Sequence, residues 1–183
     1  MKRLAILSCM LICSGAFPQD GAKKECPLEG WSIVVGDWEK TKSGARCRTG
    51  KCNLQWNGEI KKTIEIRFYL TINEWTGEKA HQAGITWDAG DAQKSRNAAL
   101  VTNANITIFN NLKPETHQTV RFSMPLKKPV PVKALITVKG VQMIVAREKV
   151  SGEFPSQKLD RLRLWVAGAD ATFSKVKVKS KNK

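Results

Sequence analysis

The chain has 183 residues, with 31 Lys and Arg against 16 Asp and Glu, a formal charge of +15. That length supports one sizeable core, and beyond the amino end no apolar stretch approaches the roughly 20 residues of a membrane-spanning helix. The positive excess favours anionic partners (acidic polysaccharide, surface polymer, anionic lipid or nucleic acid), although colloidal solubility accounts for it equally well.

Met1-Lys2-Arg3 is a short basic lead, and residues 4–12 form an apolar run too short to cross a bilayer. Small residues at Ser14 and Ala16 place a cleavage site before Phe17, so residues 1–16 read as a secretory signal peptide. The expected location is secreted, periplasmic or cell-surface. Lipidation at Cys9 or Cys13 fits poorly, because Cys13 follows bulky Ile12 and Cys9 follows too short a hydrophobic run. Residues 17–29 are polar and turn-rich and read as a flexible lead-in. A single domain over 30–179 and a basic tail at 180–183 complete the expected organisation.

Removing the leader leaves Cys26, Cys47 and Cys52, an odd number for an oxidising compartment. Cys47 and Cys52 flank Arg48-Thr49-Gly50-Lys51, a turn sequence that lets them face each other across a hairpin as a disulfide. Cys26 is then free or paired with a second chain in a dimer, and a link from Cys26 to either of the others stays open. His81 and His117 lie at no zinc-ligand spacing.

From Trp31 onward apolar and polar residues alternate between turn signals, and no segment sustains a helical period. The clearest strand is 63–72, with Ile64, Ile66, Phe68, Leu70 and Ile72 on one face and Thr63, Glu65, Arg67, Tyr69 and Thr71 on the other. Glu65 and Arg67 on the polar face read as an exposed ion pair. Strands follow at 83–88 and 105–109. Next come 134–138 and 141–147, joined by a tight Lys139-Gly140 turn with Gly in the left-handed region. Leu162, Leu164 and Val166 share one face of a late strand, and 173–179 is the last, with a bulge expected near Ser174. Lys175, Lys177 and Lys179 on that strand discourage edge-to-edge pairing as readily as they bind a ligand. So many strands in one domain must pack as two sheets or close into a barrel, and an all-β, antiparallel two-sheet sandwich is the expected outcome.

The segment Gly30-Trp31-Ser32-Ile33-Val34-Val35-Gly36-Asp37-Trp38-Glu39 resembles the opening strand of concanavalin A-like lectin/glucanase domains, the laminin G-like jelly rolls. The order continues through 63–72, Ala83-Gly84-Ile85-Thr86-Trp87, the 136–145 hairpin, Leu162-Arg163-Leu164-Trp165-Val166 and 173–178. The resemblance implies a jelly roll over residues 30–179. Two features depart from the pattern: Arg163 stands where relatives often have Gly, and Ala146-Arg147-Glu148-Lys149 replaces an Asp-Gly turn.

Glycosidases of that fold set carboxylates two residues apart on one strand, and this chain has no such run. It has no Gly-x-Ser-x-Gly nucleophile elbow either. The sequence therefore favours a non-catalytic binding module for carbohydrate or an anionic surface polymer over a sugar-processing hydrolase or a structural or adhesion component. An exposed indole stacks on the apolar face of a sugar. Of six tryptophans, Trp31, Trp38 and Trp165 fall within strand patterns and read as buried or edge-packed, whereas Trp75 in a polar loop and Trp87 at a strand end are the candidate platforms. Arg96, Asn103 and Asn105 are the polar groups expected beside them. Asp37, Asp88 and Asp91 offer oxygen ligands to a calcium ion, although turn and capping roles suit them better.

Overall fold

The computed structural model describes residues 25–48, 50–76, 81–89, 96–110, 117–154 and 159–182. The expected signal peptide, the first part of the expected lead-in, Asp91 and residue 183 lie outside them. The described residues form strands and no helix: β1 (Trp31–Val35), β2 (Trp38–Thr41), β3 (Gly44–Cys47), β4 (Lys51–Trp56), β5 (Thr63–Trp75), β6 (Gln82–Ala89) and β7 (Arg96–Val101). They continue with β8 (Asn105–Asn110), β9 (Gln118–Arg121), β10 (Val130–Thr137), β11 (Gly140–Val145), β12 (Glu148–Glu153), β13 (Leu159–Ala167) and β14 (Ala169–Lys181). Two antiparallel seven-stranded sheets result. Sheet A runs β1-β4-β13-β6-β7-β8-β9 and sheet B runs β12-β11-β10-β5-β14-β3-β2.

Period-two patterning places the core between the sheets. In sheet A, Leu54, Leu164, Ile85, Ala99 and Ile108 are successive cross-strand partners and all are fully buried. On β5, Ile64, Ile66, Phe68, Leu70 and Ile72 are all buried, as the alternation predicts. Each such side chain contributes roughly 1.5–3 kcal/mol of hydrophobic stabilisation. Glu65 and Arg67 form the expected pair on the opposite face, with Nε 2.7 Å from Oε1. Cys26 and Leu28, in the described part of the lead-in, pack against the core.

Three local features differ from the sequence reading. The opening segment is two strands in different sheets, broken at Gly36, whose φ of +85° only glycine adopts without strain. A Cβ there would stand 2.6 Å from the Lys51 carbonyl and 2.8 Å from Cys52 Sγ. Cys47 and Cys52 are bonded, with Cα atoms 6.2 Å apart. They do not face each other across a hairpin, however. Cys47 ends a strand of sheet B and Cys52 lies in sheet A, so the bond ties the two layers.

Gly140 is the first residue of β11 rather than a left-handed turn residue, because the turn falls on Val138-Lys139. Thr137 Oγ closes that turn by accepting from the Lys139 amide and donating to the Gly140 carbonyl. The bulge near Ser174 is present: the register shifts between Ser174 and Lys177, and Lys175 takes a φ of +51°.

Candidate functional site

On β6 and β13, Thr86, Asp88, Arg163 and Trp165 alternate with Ile85, Trp87, Leu164 and Val166. They therefore belong to the face of sheet A turned away from sheet B. Such a face is ordinarily solvated, yet here Thr86, Asp88 and Arg163 are at most 5% exposed. Burying a charge is costly unless it is paired. The pairing is bidentate: Arg163 Nη1 donates to Asp88 Oδ1 at 2.7 Å and Nη2 donates to Oδ2 at 3.1 Å. This fork fixes both side chains, as guanidinium and carboxylate planes match.

Arg161 adds a second cation, its Nε 2.8 Å from Asp88 Oδ2 and 3.5 Å from Asp160 Oδ2. A β-bulge makes this possible. The register of β13 on β6 shifts between Asp160 and Arg163, and Arg161 sits at φ +45°, a left-handed conformation that is strained for any residue with a Cβ. The bulge turns the consecutive residues Asp160 and Arg161 onto one side, which Arg163 shares by alternation, so both arginines reach Asp88. Strain retained at a charged cluster is a feature of binding and catalytic sites.

Arg161 also lines a groove of about 490 Å³ with Gln55, Trp56, Asn57, Leu159 and Asp160. Ser32 Oγ donates to Asn57 Oδ1 at 2.9 Å and holds that amide in place. Along the same outer face, Trp165 is half-buried, with the Lys51 ammonium 5.4 Å from its ring centroid. Its cross-strand neighbours are Asn53 and Gly84. Asn53 Oδ1 and Thr86 Oγ1 are buried and make no hydrogen bond among the described residues. The surface thus combines guanidinium donors and carboxylate and amide acceptors, with Trp56 lining the groove and Trp165 further along β13.

No family model and no curated protein matches the chain. Solved structures do. A carbohydrate-binding module, CBM66 from Bacillus subtilis, superposes with a TM-score of 0.65 at 17% identity, covering 82% of this chain and 96% of that one. The Crh5 transglycosylase in complex with NAG gives 0.65 at 10% identity, over 84% and 79%. A Trypanosoma rangeli sialidase gives 0.61 at 10%, over 80% of this chain and 26% of that one. The fold is a concanavalin A-like sandwich.

Within the concanavalin A-like sandwich, the residues singled out from sequence do not converge. Trp87 is fully buried on the inner face, edge-on to Phe154 at 6.0 Å, which leaves no ring face for a ligand. Trp75 is half-buried at the end of β5, with its ring 5.8 Å from that of His81. Arg96 begins β7 opposite Asp88, while Asn103 is exposed in the turn after β7 and so lies at that strand's other end. Asn105 is half-buried on β8, opposite Arg121. Asp88, considered for calcium, is engaged by two guanidinium groups instead.

Arg161, Arg163 and Asp88 converge instead. Trp165, expected from its strand pattern to be buried or edge-packed, is half-buried on the outer row. In the sequence Arg163 stands out only as a departure from the pattern that the chain resembles. Arg161-Leu162-Arg163 beside Asp160 was the available signal: two arginines and an aspartate inside an apolar strand require a partner.

Proposed function

We propose that this protein is a secreted, non-catalytic carbohydrate-binding module that holds sugar on the outer face of sheet A, between the Arg161 bulge and Trp165. The observation that carries this reading is the Arg163–Asp88–Arg161 cluster, whose strained bulge presents a guanidinium at the mouth of the groove. Sugar hydroxyls accept from Arg161, donate to Asp160 and exchange hydrogen bonds with Asn57 and Gln55. An indole offers its face to the apolar side of the ring. The printed name of a neighbour of the same fold, a carbohydrate-binding module, supports the same class. Export is supported by the leader-like amino end and by the Cys47–Cys52 bond, which persists outside the reducing cytosol.

One observation favours a second reading, a sugar-processing hydrolase: Asp160 pairs directly with Asp88 across β13 and β6. Retaining glycosidases use two carboxylates about 5 Å apart. Here both oxygens of Asp88 are engaged by arginines, so neither is available to attack or protonate a substrate, and binding is preferred.

A glycan array with the wild type, Arg161→Ala and Trp165→Ala tests the proposal. At least one glycan should be retained by the wild type, and each variant should lose about tenfold or more in affinity for it. Retention of no glycan, or equal retention by all three proteins, would overturn the assignment.

A further inference from the structure

The outer face of sheet B carries a separate arrangement. Cross-strand pairing places Lys149, Ile144, Lys133, Arg67 and Lys177 in one row across β12, β11, β10, β5 and β14. At about 4.8 Å between strands, the row spans roughly 19 Å. Like charges directly opposite one another destabilise a sheet, yet Lys133, Arg67 and Lys177 are consecutive partners. Glu65 is shared by Arg67 at 2.7 Å and Lys133 at 3.8 Å, and Lys179 is its cross-strand partner on β14. Toward the other end of the same sheet the charges are matched, Arg46 with Asp170 and Arg48 with Glu39.

The row borders a groove of about 450 Å³ with Tyr69, Pro131 and Lys175. Tyr69 is the single tyrosine of the chain and is 39% exposed. The bulge at Lys175 swings that residue's ammonium to 5.4 Å from the Tyr69 ring centroid. Protection of an open edge explains Lys177 and Lys179, because the pairing of β14 with β3 stops at Ser174. It does not explain Arg67 and Lys133, which stand on the interior strands β5 and β10.

We propose that this face binds a linear acidic polysaccharide, with carboxylate or sulfate groups along the Lys133–Arg67–Lys177 row and a sugar ring on Tyr69. The partner has to supply the negative charge that the sheet lacks, and a polymer with regularly placed anions matches a straight row. A single aromatic ring is too little for single-stranded nucleic acid, which stacks successive bases on several. Among the described residues Tyr69 is also the one large hydrophobic exposed in the groove, whereas membrane attachment needs an inserted apolar face. This site is distinct from the sheet A groove and stands or falls independently of it.

Affinity electrophoresis and titration with dextran sulfate and with polygalacturonate distinguish sulfate from carboxylate as the anion. Binding to at least one is expected. The triple variant Arg67→Gln, Lys133→Gln, Lys177→Gln should weaken it by about tenfold or more, roughly 1.4 kcal/mol. A control with the same charge change elsewhere, Lys40→Gln, Lys42→Gln, Arg121→Gln, should stay within about twofold. Tyr69→Ala should weaken binding while leaving its salt dependence unchanged.

Melting temperature supplies a second readout. Relief of like-charge repulsion should leave the triple variant at least as stable as the wild type. The proposal is overturned if neither polysaccharide binds, if the control loses as much as the triple variant, or if the triple variant melts lower with binding intact. Stronger binding to phosphatidylserine vesicles or single-stranded DNA, lost in the triple variant, would reassign the face to those anions and overturn it as well.

Discussion

Replacing Asp88 by Asn keeps the side chain's shape and removes its charge. Arg163, with a side chain 6% exposed, would then hold a guanidinium inside the sheet without the carboxylate that offsets its desolvation. Removing one member of a buried ion pair costs about 3–5 kcal/mol, a large part of a typical stability of about 5–15 kcal/mol. For a domain of this size each kcal/mol moves the melting temperature by about 2–4 °C, so a fall of about 6–20 °C is expected. Arg163→Gln should be milder, at about 1–3 kcal/mol, because Asp88 keeps Arg161 at 2.8 Å and that side chain reaches water at 38% exposure. The double variant Asp88→Asn, Arg163→Gln should cost less than the two single changes added, by about 1 kcal/mol or more. Urea unfolding followed by tryptophan fluorescence at neutral pH measures all four proteins on one scale. An Asp88→Asn midpoint equivalent to less than about 1 kcal/mol of loss, or a greater loss for Arg163→Gln, would refute the reasoning.

The disulfide and the acid limb of stability give two further expectations. Because the bond closes a loop of sequence separation 5, Cys47→Ala with Cys52→Ala should lower stability by about 2 kcal/mol, and peptide mapping of unreduced protein should recover the two cysteines linked. The Arg46 guanidinium holds the Asp170 carboxyl below its usual range, against an opposing effect of burial and with a further hydrogen bond from Asn73. With the folded value depressed, the unfolded chain takes up that proton first. The stabilisation is therefore complete above about pH 4 and is lost as pH falls through the folded value. Asp170→Asn should accordingly be less stable than the wild type at pH 6, and the gap should narrow as the pH is lowered below about 4. A gap that stays constant would remove Asp170 from the acid response.

Much of this fold was written in short-range pattern. Ile64 through Ile72 face the core because side chains alternate along a strand whatever it pairs with, and Leu162, Leu164 and Val166 follow the same rule. The strand β7 escaped that reading for a physical reason. Ala98 and Leu100 on its outer face are buried like Ala99 and Val101 on its inner face, so Arg96-Asn97-Ala98-Ala99-Leu100-Val101 shows no alternation. The bond between Cys47 and Cys52 followed from proximity in sequence, but not its passage from one sheet to the other.

Alternation along the chain thus determined the fold class, the inward face of most strands and the bulge near Ser174, and proximity in sequence determined one disulfide. Which strands became neighbours was decided in three dimensions. Asp88 and Arg163 are 75 residues apart, and only the pairing of β6 with β13 makes them partners. Lys133, Arg67 and Lys177 form a row only because β10 and β14 both chose β5. A residue's periodicity fixes which way its side chain points, whereas its charge acquires a partner only when long-range pairing of strands brings one within a few ångströms.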